Sequence, residues 1–551
     1  MSPKSKLFLS ILRFAGFFLF FFTISLFIQS YTGGFSADRS NNWDEAGHFV
    51  SSLAIDNYIL TGALSNPFVF MTEYYHHFPK VAIGHWPPLF EFIQSIIFLV
   101  FGGTAIVAIV LQAAMAGFCA GITTSITARS FGIMAGVTAG FVVLFSPIFL
   151  PMIDLVMADT LEALVVTLTA ICWGLFYKER NWRWCFLFSL MATLSLLTKG
   201  TAIGLALMPI IYVGLRRDFA FLLNIKTLVA AAVVAAITAP WYIFTYQMAA
   251  DGFIYKWGWS YSRLSVPYFF AGLFRSAGIA CTLMYCYGTF RCLVNPKQSE
   301  IQTQPDVLAF ASCSIAMMVF AMLVPAYLDT RYLIPALPSF VIVAFWGFYD
   351  ALDNLTWPKP YKAAVQYIPI AVFILSALPI FHMQHVQSLH SEQLVNEIMS
   401  SHLPNKLILM SGNVEAEGAF VSRFAEIDTK KIHYVIRGQK ALADSSWMTD
   451  RYEPKFKTAK EVARWINDSG IGWIVLDSDS RFPEFPHNAL LKDAIDKGLL
   501  QSKLIKAVDH SGGQMSLYEL PGAANVTKIL DGLASAMLPG HLAAAPWCTL
   551  R

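Results

Sequence analysis

Two adjacent acids, Asp44 and Glu45, follow Asn42-Trp43 just beyond the first long apolar run of the chain. A helix N-terminus favours acids at that place, through its macrodipole and free N–H groups. A general base needs the same residue type. A carboxylate held near a membrane surface can take the proton of a hydroxyl attacking an activated sugar, worth typically ~10²–10⁴-fold. Asp154, Asp159 and Glu162 form a second acidic group, and Asp159 and Glu162 share a face one helical turn apart. Acids at the start of an apolar helix either cap it or face protein and water, where they are candidates for function. Cations stand at two corners between apolar runs: Lys199 in Leu197-Thr198-Lys199-Gly200, and Arg331 in Asp329-Thr330-Arg331-Tyr332-Leu333. The stretch 248–270 adds Lys256, Arg263 and the aromatics Tyr255, Trp257, Trp259, Tyr261 and Tyr268. Singly, each reads as an interfacial anchor. Together they suit an anion such as a lipid phosphate, which Arg grips bidentately. His85-Trp86-Pro87-Pro88 closes the first polar stretch. The proline pair sets an extended entry to the next helix, read either as a rigid junction or as one wall of a site.

These residues need a scaffold, and the composition says which. Of 551 residues, 56% are apolar and 14% charged, against roughly 25% charged in an ordinary soluble domain. A soluble enzyme, a disordered chain and a nucleic-acid binder are excluded on that balance, and a net charge of +3 offers a polyanion little. Eight cysteines show no metal-ligand spacing and imply no disulfide framework. Apolar runs near the ~20 residues a membrane helix needs lie at 7–28, 104–127, 132–150, 156–177, 183–198, 201–215, 226–247, 271–293, 306–325, 333–350 and 363–381. Lys4/Lys6, Arg129, Lys178/Arg180/Arg183, Arg216/Arg217, Arg291/Lys297 and Lys359/Lys362 mark one side as cytoplasmic. Residues 88–101, with Glu91 and Gln94, are too short and polar to cross, and read as a re-entrant or interfacial helix. Eleven crossings follow. They put loop 29–87, the junction near 151–158, the Lys199 corner, loop 248–270, the corner 326–332 and everything after 381 outside.

The expected fold is therefore a polytopic α-helical membrane protein followed by a soluble α/β domain. Strand patterns at 406–411, 432–436, 472–477 and 515–520 alternate with helical ones at 389–401, 417–426, 458–468 and 488–499. The domain spans 382–522, and a tail of small residues, 523–551, stays unassigned. Ser411-Gly412-Asn413-Val414-Glu415 lacks the spacing of a dinucleotide loop.

Taken in order, Asp44-Glu45, Pro87-Pro88, Asp159, Leu197-Thr198-Lys199-Gly200, Pro240-Trp241-Tyr242 and Arg331-Tyr332-Leu333-Ile334-Pro335 resemble the GT-C membrane glycosyltransferases. The likeness covers residues 7–381. It is closest to the bacterial branch related to protein O-mannosyltransferases and the lipid A aminoarabinose transferase. The resemblance implies a catalytic domain over 1–381 and a periplasmic accessory domain over 382–522, in a bacterial inner membrane. It implies transfer of a sugar from a polyprenyl-phosphate donor to a lipid, glycan or protein acceptor hydroxyl on the periplasmic face, with inversion. Asp44 takes the place of the base, with Glu45 and Asp159 orienting it or the sugar. His85, Lys199, Arg263, Tyr261, Arg331 and Tyr332 fall to substrate binding, and Arg331 sits where the family contacts donor phosphate. No cofactor is implied with certainty. Members differ in needing a divalent ion, and His85, His48, Asp44 and Asp159 lack a spacing that specifies one. Two departures, Ala46-Gly47-His48 after the acid pair and His85-Trp86 before the prolines, keep the aminoarabinose branch's donor sugar from carrying over. The alternative is a transporter or flippase of lipid-linked glycans. It predicts inverted repeats and helices broken at mid-bilayer, and no repeat is visible.

Overall fold

The computed structural model describes residues 3–62, 65–250, 255–294, 306–355, 362–401, 406–445 and 452–521. Lys297, Lys359 and the tail 523–551 lie outside them. Six helices are long and apolar enough to cross a membrane: Phe8–Thr32, Ala105–Phe131, Asp159–Glu179, Ile225–Ala249, Trp259–Val294 and Thr330–Asp353. Shorter apolar helices fill the remaining expected spans, at Ile133–Leu144, Trp182–Thr198, Gly200–Arg216, Val307–Leu323 and Ile368–Ile380. Local chemistry sets several of their ends. Thr104, Asn181 and Asp306 each accept a backbone N–H two or three residues on, replacing bonds the first turn cannot make internally. Gly132 stops the helix before it at φ 89°, a conformation that only glycine adopts without strain.

Close helix contacts rest on small residues. A Cβ on Gly347 would stand 2.5 Å from the Met284 carbonyl oxygen and 2.9 Å from Gly288 Cα, so Trp259–Val294 and Leu337–Asp353 touch backbone to backbone there. Buried Gln29 donates to the carbonyls of Ile109 and Ile153 at 2.8 and 2.7 Å, tying the first span to the helix Ala105–Phe131 and to the short turn Leu150–Ile153.

Charges gather at opposite ends of this bundle. Arg180–Asp218, Arg216–Asp306 and Arg291–Asp350 pair at one end. Asp159, Lys199 and Arg331 lie at the other, roughly 30 Å away along the 21-residue helix Asp159–Glu179. Loop 29–87 is largely helical, with Glu45–Asn57, a turn Tyr58–Gly62 and Pro67–His77. Leu89–Phe101 has 13 residues and buries only Phe90, Glu91, Gln94, Ser95 and Phe98, as an interfacial helix does. One expectation needs correction. Residues 259–270 are not loop but the first turns of the helix Trp259–Val294. Tyr261, Ser265, Phe269 and Leu273 recur every four residues and form its buried face, a spacing hidden among aromatics that read as interfacial anchors.

The C-terminal domain is a five-stranded mixed sheet of β1 Leu407–Ser411, β2 Tyr434–Arg437, β5 Trp473–Asp479, β6 Lys503–His510 and β7 Gly513–Glu519, with a small hairpin, β3 Ala443–Ser445 and β4 Tyr452–Pro454. The sheet order is β2-β1-β5-β7-β6; β2, β1 and β5 run parallel, and β7 is antiparallel to both its neighbours. Four of these strands match expected runs. β6 was hidden because Lys503, Lys506 and its exposed positions break an apolar pattern. Alternation along β1 sends Ile408 and Met410 to one face and Leu407 and Leu409 to the other. The second face is covered by Ala459–Ser469 and Pro486–Asp496. The first is covered by Ser391–Ser400 and Val414–Ile427, and its core continues without a break into Phe49, Val50 and Leu53 of the first loop.

Candidate active site

Asp44 occupies the N-cap position of Glu45–Asn57, yet its side chain caps nothing. Its backbone N–H donates to Asn42 Oδ1 at 3.1 Å. Arg331 Nη2 donates to Asp44 Oδ2 at 2.9 Å across 287 residues of chain. Arg331 is itself held by Asp329, whose Oδ1 accepts the Arg331 N–H at 2.9 Å and whose Oδ2 lies 3.2 Å from Nε. The pair is neither sealed nor open, with Arg331 16% and Asp44 13% exposed. Both line a cavity of about 210 Å³ with Asn42, Trp43, Tyr327 and Asp329. Burial opposes ionisation of Asp44. The Arg331 guanidinium, with His48 and Lys199, outweighs it and holds the carboxyl below its ordinary 3.8.

A second ion pair lies alongside. Lys199, in extended conformation at the corner after Trp182–Thr198, donates to Asp159 Oδ1 at 2.6 Å. Tyr332 stands between the two cations, its ring 5.4 Å from Lys199 Nζ and 5.6 Å from the Arg331 guanidinium carbon. Asp159 Oδ2 is buried without a hydrogen-bond partner among the described residues. Thr201 donates to Glu162, one turn further on. Two carboxylates and two cations thus surround one tyrosine, with Asp44 and Asp159 each in electrostatic reach of both Lys199 and Arg331.

The other expected residues fall at varying distances from this cluster. Glu45 points the opposite way from Asp44. It accepts from the N–H groups of Asn41 and Val156 at 2.9 and 3.1 Å and pairs with Arg39 at 3.4 Å. Burial pushes its carboxyl up to about 7 despite those partners. It locks the first loop to the junction before Asp159. Tyr261 donates to the Ala321 carbonyl at 3.1 Å, joining two helices. Arg263 is exposed on the outer face of its helix and makes no ion pair or hydrogen bond among the described residues. His85 is half-buried, its ring 6.0 Å from Trp86. His48 holds Glu91 of the interfacial helix at 2.7 Å and stacks on Trp86 at 4.1 Å. Among the described residues, His48, His85, Asp44 and Asp159 do not form a metal-sized cluster; Asp477, Asp479 and His510 in the C-terminal domain are the set that does.

Several residues were missed. Asn42 positions Asp44 and receives Arg331 Nη1 at 3.5 Å, Arg39 fastens Glu45, and Lys80 is buried near Asp44 and Glu417. Arg39 and Lys80 carry the same signal as Lys199 and Arg331, a cation kept in a polar stretch between apolar runs.

The bundle and the appended sheet domain make a fold similar to that of solved GT-C membrane glycosyltransferases. The family model of the dolichyl-phosphate-mannose-protein mannosyltransferases matches residues 85–244. ArnT from Cupriavidus metallidurans, solved in the apo state and bound to undecaprenyl phosphate, superposes with a TM-score of 0.56 at 13% identity, over 91% of this chain and 98% of ArnT. The Archaeoglobus fulgidus oligosaccharyltransferase, in complex with zinc and sulfate, gives 0.51 at 13% identity over 84% of this chain and 68% of its own. At that identity the likeness is one of fold. No curated protein matches in sequence.

Proposed function

We propose that the protein transfers a sugar from a polyprenyl-phosphate-linked donor to an acceptor hydroxyl on the periplasmic face of a bacterial inner membrane, with Asp44 as general base and inversion at the anomeric carbon. The observation that carries this reading is the pairing of Asp44 with Arg331 beside Lys199–Asp159 in one half-buried cluster. The mannosyltransferase family match and the fold shared with an undecaprenyl-phosphate-binding protein support it. The acceptor oxygen forms a bond to the anomeric carbon, and its proton passes to Asp44. The bond from that carbon to the phosphate oxygen breaks, and its electron pair stays on the phosphate. A polyprenyl phosphate is already a stable anion, so it needs cations more than an acid. Arg331 and Lys199 supply them. In the donor-free protein each is neutralised by a carboxylate, so an arriving phosphate competes with Asp44 for Arg331 and with Asp159 for Lys199. Asp44 is then released as its substrate binds. Asp159 returns to Lys199 when the product phosphate leaves.

The test is sugar transfer from a radiolabelled polyprenyl-phosphate sugar by purified wild type and Asp44→Asn. Asparagine keeps the shape and a hydrogen-bond acceptor but takes no proton. The expected loss is ~10²–10⁴-fold with the variant still monodisperse. A folded Asp44→Asn protein that transfers normally removes the proposed base. Movement of intact donor across the bilayer without glycosyl cleavage would make the protein a transporter.

A further inference from the structure

We infer that the C-terminal domain binds a saccharide at the carboxyl ends of β1 and β5, and that this site is the far end of a groove leading to Asp44, so that the acceptor is an extended glycan. The inference rests on the proposed transferase reading and names its acceptor class. Between β1 and β5 the sheet reverses its order of growth: from β1 the chain passes through Val414–Ile427 to β2 on one side, while β5 lies on the other. Ligands of open α/β sheets bind at such switch points. A cavity of about 400 Å³ lies there, lined by Asn413, Asp477, Ser478, Phe482, Phe485 and Lys492 among others.

Two side chains on its wall have one polar atom unused. Asn413 is 9% exposed; its Oδ1 caps Val414–Ile427 by accepting from Ala416 at 2.8 Å, while Nδ2 has no partner among the described residues. Asp477 is 4% exposed; its Oδ1 binds His510 Nε2 at 2.9 Å, while Oδ2 has no partner among the described residues. One buried donor and one buried acceptor match sugar hydroxyls, which accept and donate at once. Half-buried Phe482 and Phe485 offer apolar surface to the C–H face of a ring. A cation fits less well, although Asp477, Asp479 and His510 approach one another closely. Asp479 is engaged by Arg481 Nε at 2.9 Å and Nη2 at 2.5 Å. His510 Nδ1 accepts from Gly512, which leaves the proton on Nε2, facing Asp477.

The groove is traced by shared walls. Phe482 lines both this cavity and one of about 320 Å³ beside residues 382–387. Asn41 and Glu415 line that second cavity and also the one holding Asp44 and Arg331.

The test uses the full-length protein with Asn413→Asp, which keeps the cap and loses the donor, and Asp477→Asn, which keeps the His510 bond. Detergent-solubilised protein is applied to an array of hexose, N-acetylhexosamine and uronic-acid oligosaccharides, and assayed with labelled donor on envelope membranes from cells lacking the protein. Expected is wild-type retention on oligosaccharides that either variant loses, and at least a tenfold fall in transfer to membrane acceptors with donor hydrolysis by water unchanged. Wild-type retention on none of the array, wild-type-like variants, or variants that also lose donor hydrolysis would each overturn the inference. So would binding of Ca²⁺ or Mn²⁺ that Asp477→Asn abolishes, without saccharide binding. Failure of the transferase reading looks different: wild type then cleaves no donor, whatever the array shows.

Discussion

Asp44 and Glu45 are neighbours in sequence with opposite tasks, and the difference lies in what each faces. Glu45 is fully enclosed, with both oxygens held by backbone N–H groups and Arg39. Asp44 meets one guanidinium at the edge of a cavity. The pairing also sets a pH signature. In the free protein Arg331 and its neighbours keep the Asp44 carboxyl below 3.8. When a donor phosphate takes the guanidinium, the largest influence that offsets burial is lost and the carboxyl rises. A general base works only when deprotonated, so activity falls on the acid side of its pKa. The acid limb of kcat/KM, which reports the free protein, is expected below about pH 4. The limb of kcat, which reports the donor complex, should lie at higher pH. Parallel rate profiles with coincident limbs would show that Arg331 stays with Asp44 through turnover.

At the scale of elements, the site depends on how helices and the linker are pinned. Gly347→Leu should drive the helices Trp259–Val294 and Leu337–Asp353 apart, because the atoms a side chain would meet are backbone. Overpacking of this kind costs about 1–3 kcal/mol or more, readable as a lowered unfolding temperature in detergent. On the other face of the loop, buried Asp38 gathers the linker: its carboxylate accepts from Leu389 N–H at 2.8 Å, Ser388 at 3.2 Å and Ser391 at 2.5 Å. Asp38→Ala leaves the Leu389 N–H without its acceptor and the two serines with weaker partners, at about 1–3 kcal/mol. Faster limited proteolysis within 382–390 is the expected sign, and an unchanged cleavage rate would show that the linker is held elsewhere.

Across the whole molecule, the sheet domain and the membrane bundle share one hydrophobic core, in which Phe420 and Phe424 join Phe49, Val50 and Leu53. Stability of the domain therefore bears on the position of Asp44, five residues before Phe49. His487 makes this testable by pH. Burial pushes its imidazole down to about 4 from 6.5. The folded state favours the neutral ring, so this stabilisation is whole above pH 6.5 and is lost as pH falls towards 4, by about 3 kcal/mol. Thermal unfolding of the full protein at pH 7.5, 5.5 and 4.5 should show that loss, and His487→Gln should lose less on acidification.

The apolar spans, the gathering of Asp44, Asp159, Lys199 and Arg331 at one end of the bundle, the short helix at 89–101 and four of the five main strands were legible in the amino-acid order alone. Hydropathy, charge bias and strand alternation are properties of short windows, and a bilayer or a sheet turns them directly into structure. Tertiary structure decided which acid meets which cation, that Arg263 stands apart and Tyr261 binds a carbonyl, and that the C-terminal domain continues the core of the first loop. Those outcomes depend on contacts such as Arg331–Asp44, separated by 287 residues. Two such side chains carry no local mark of each other, and only the packed bundle brings them within 3 Å.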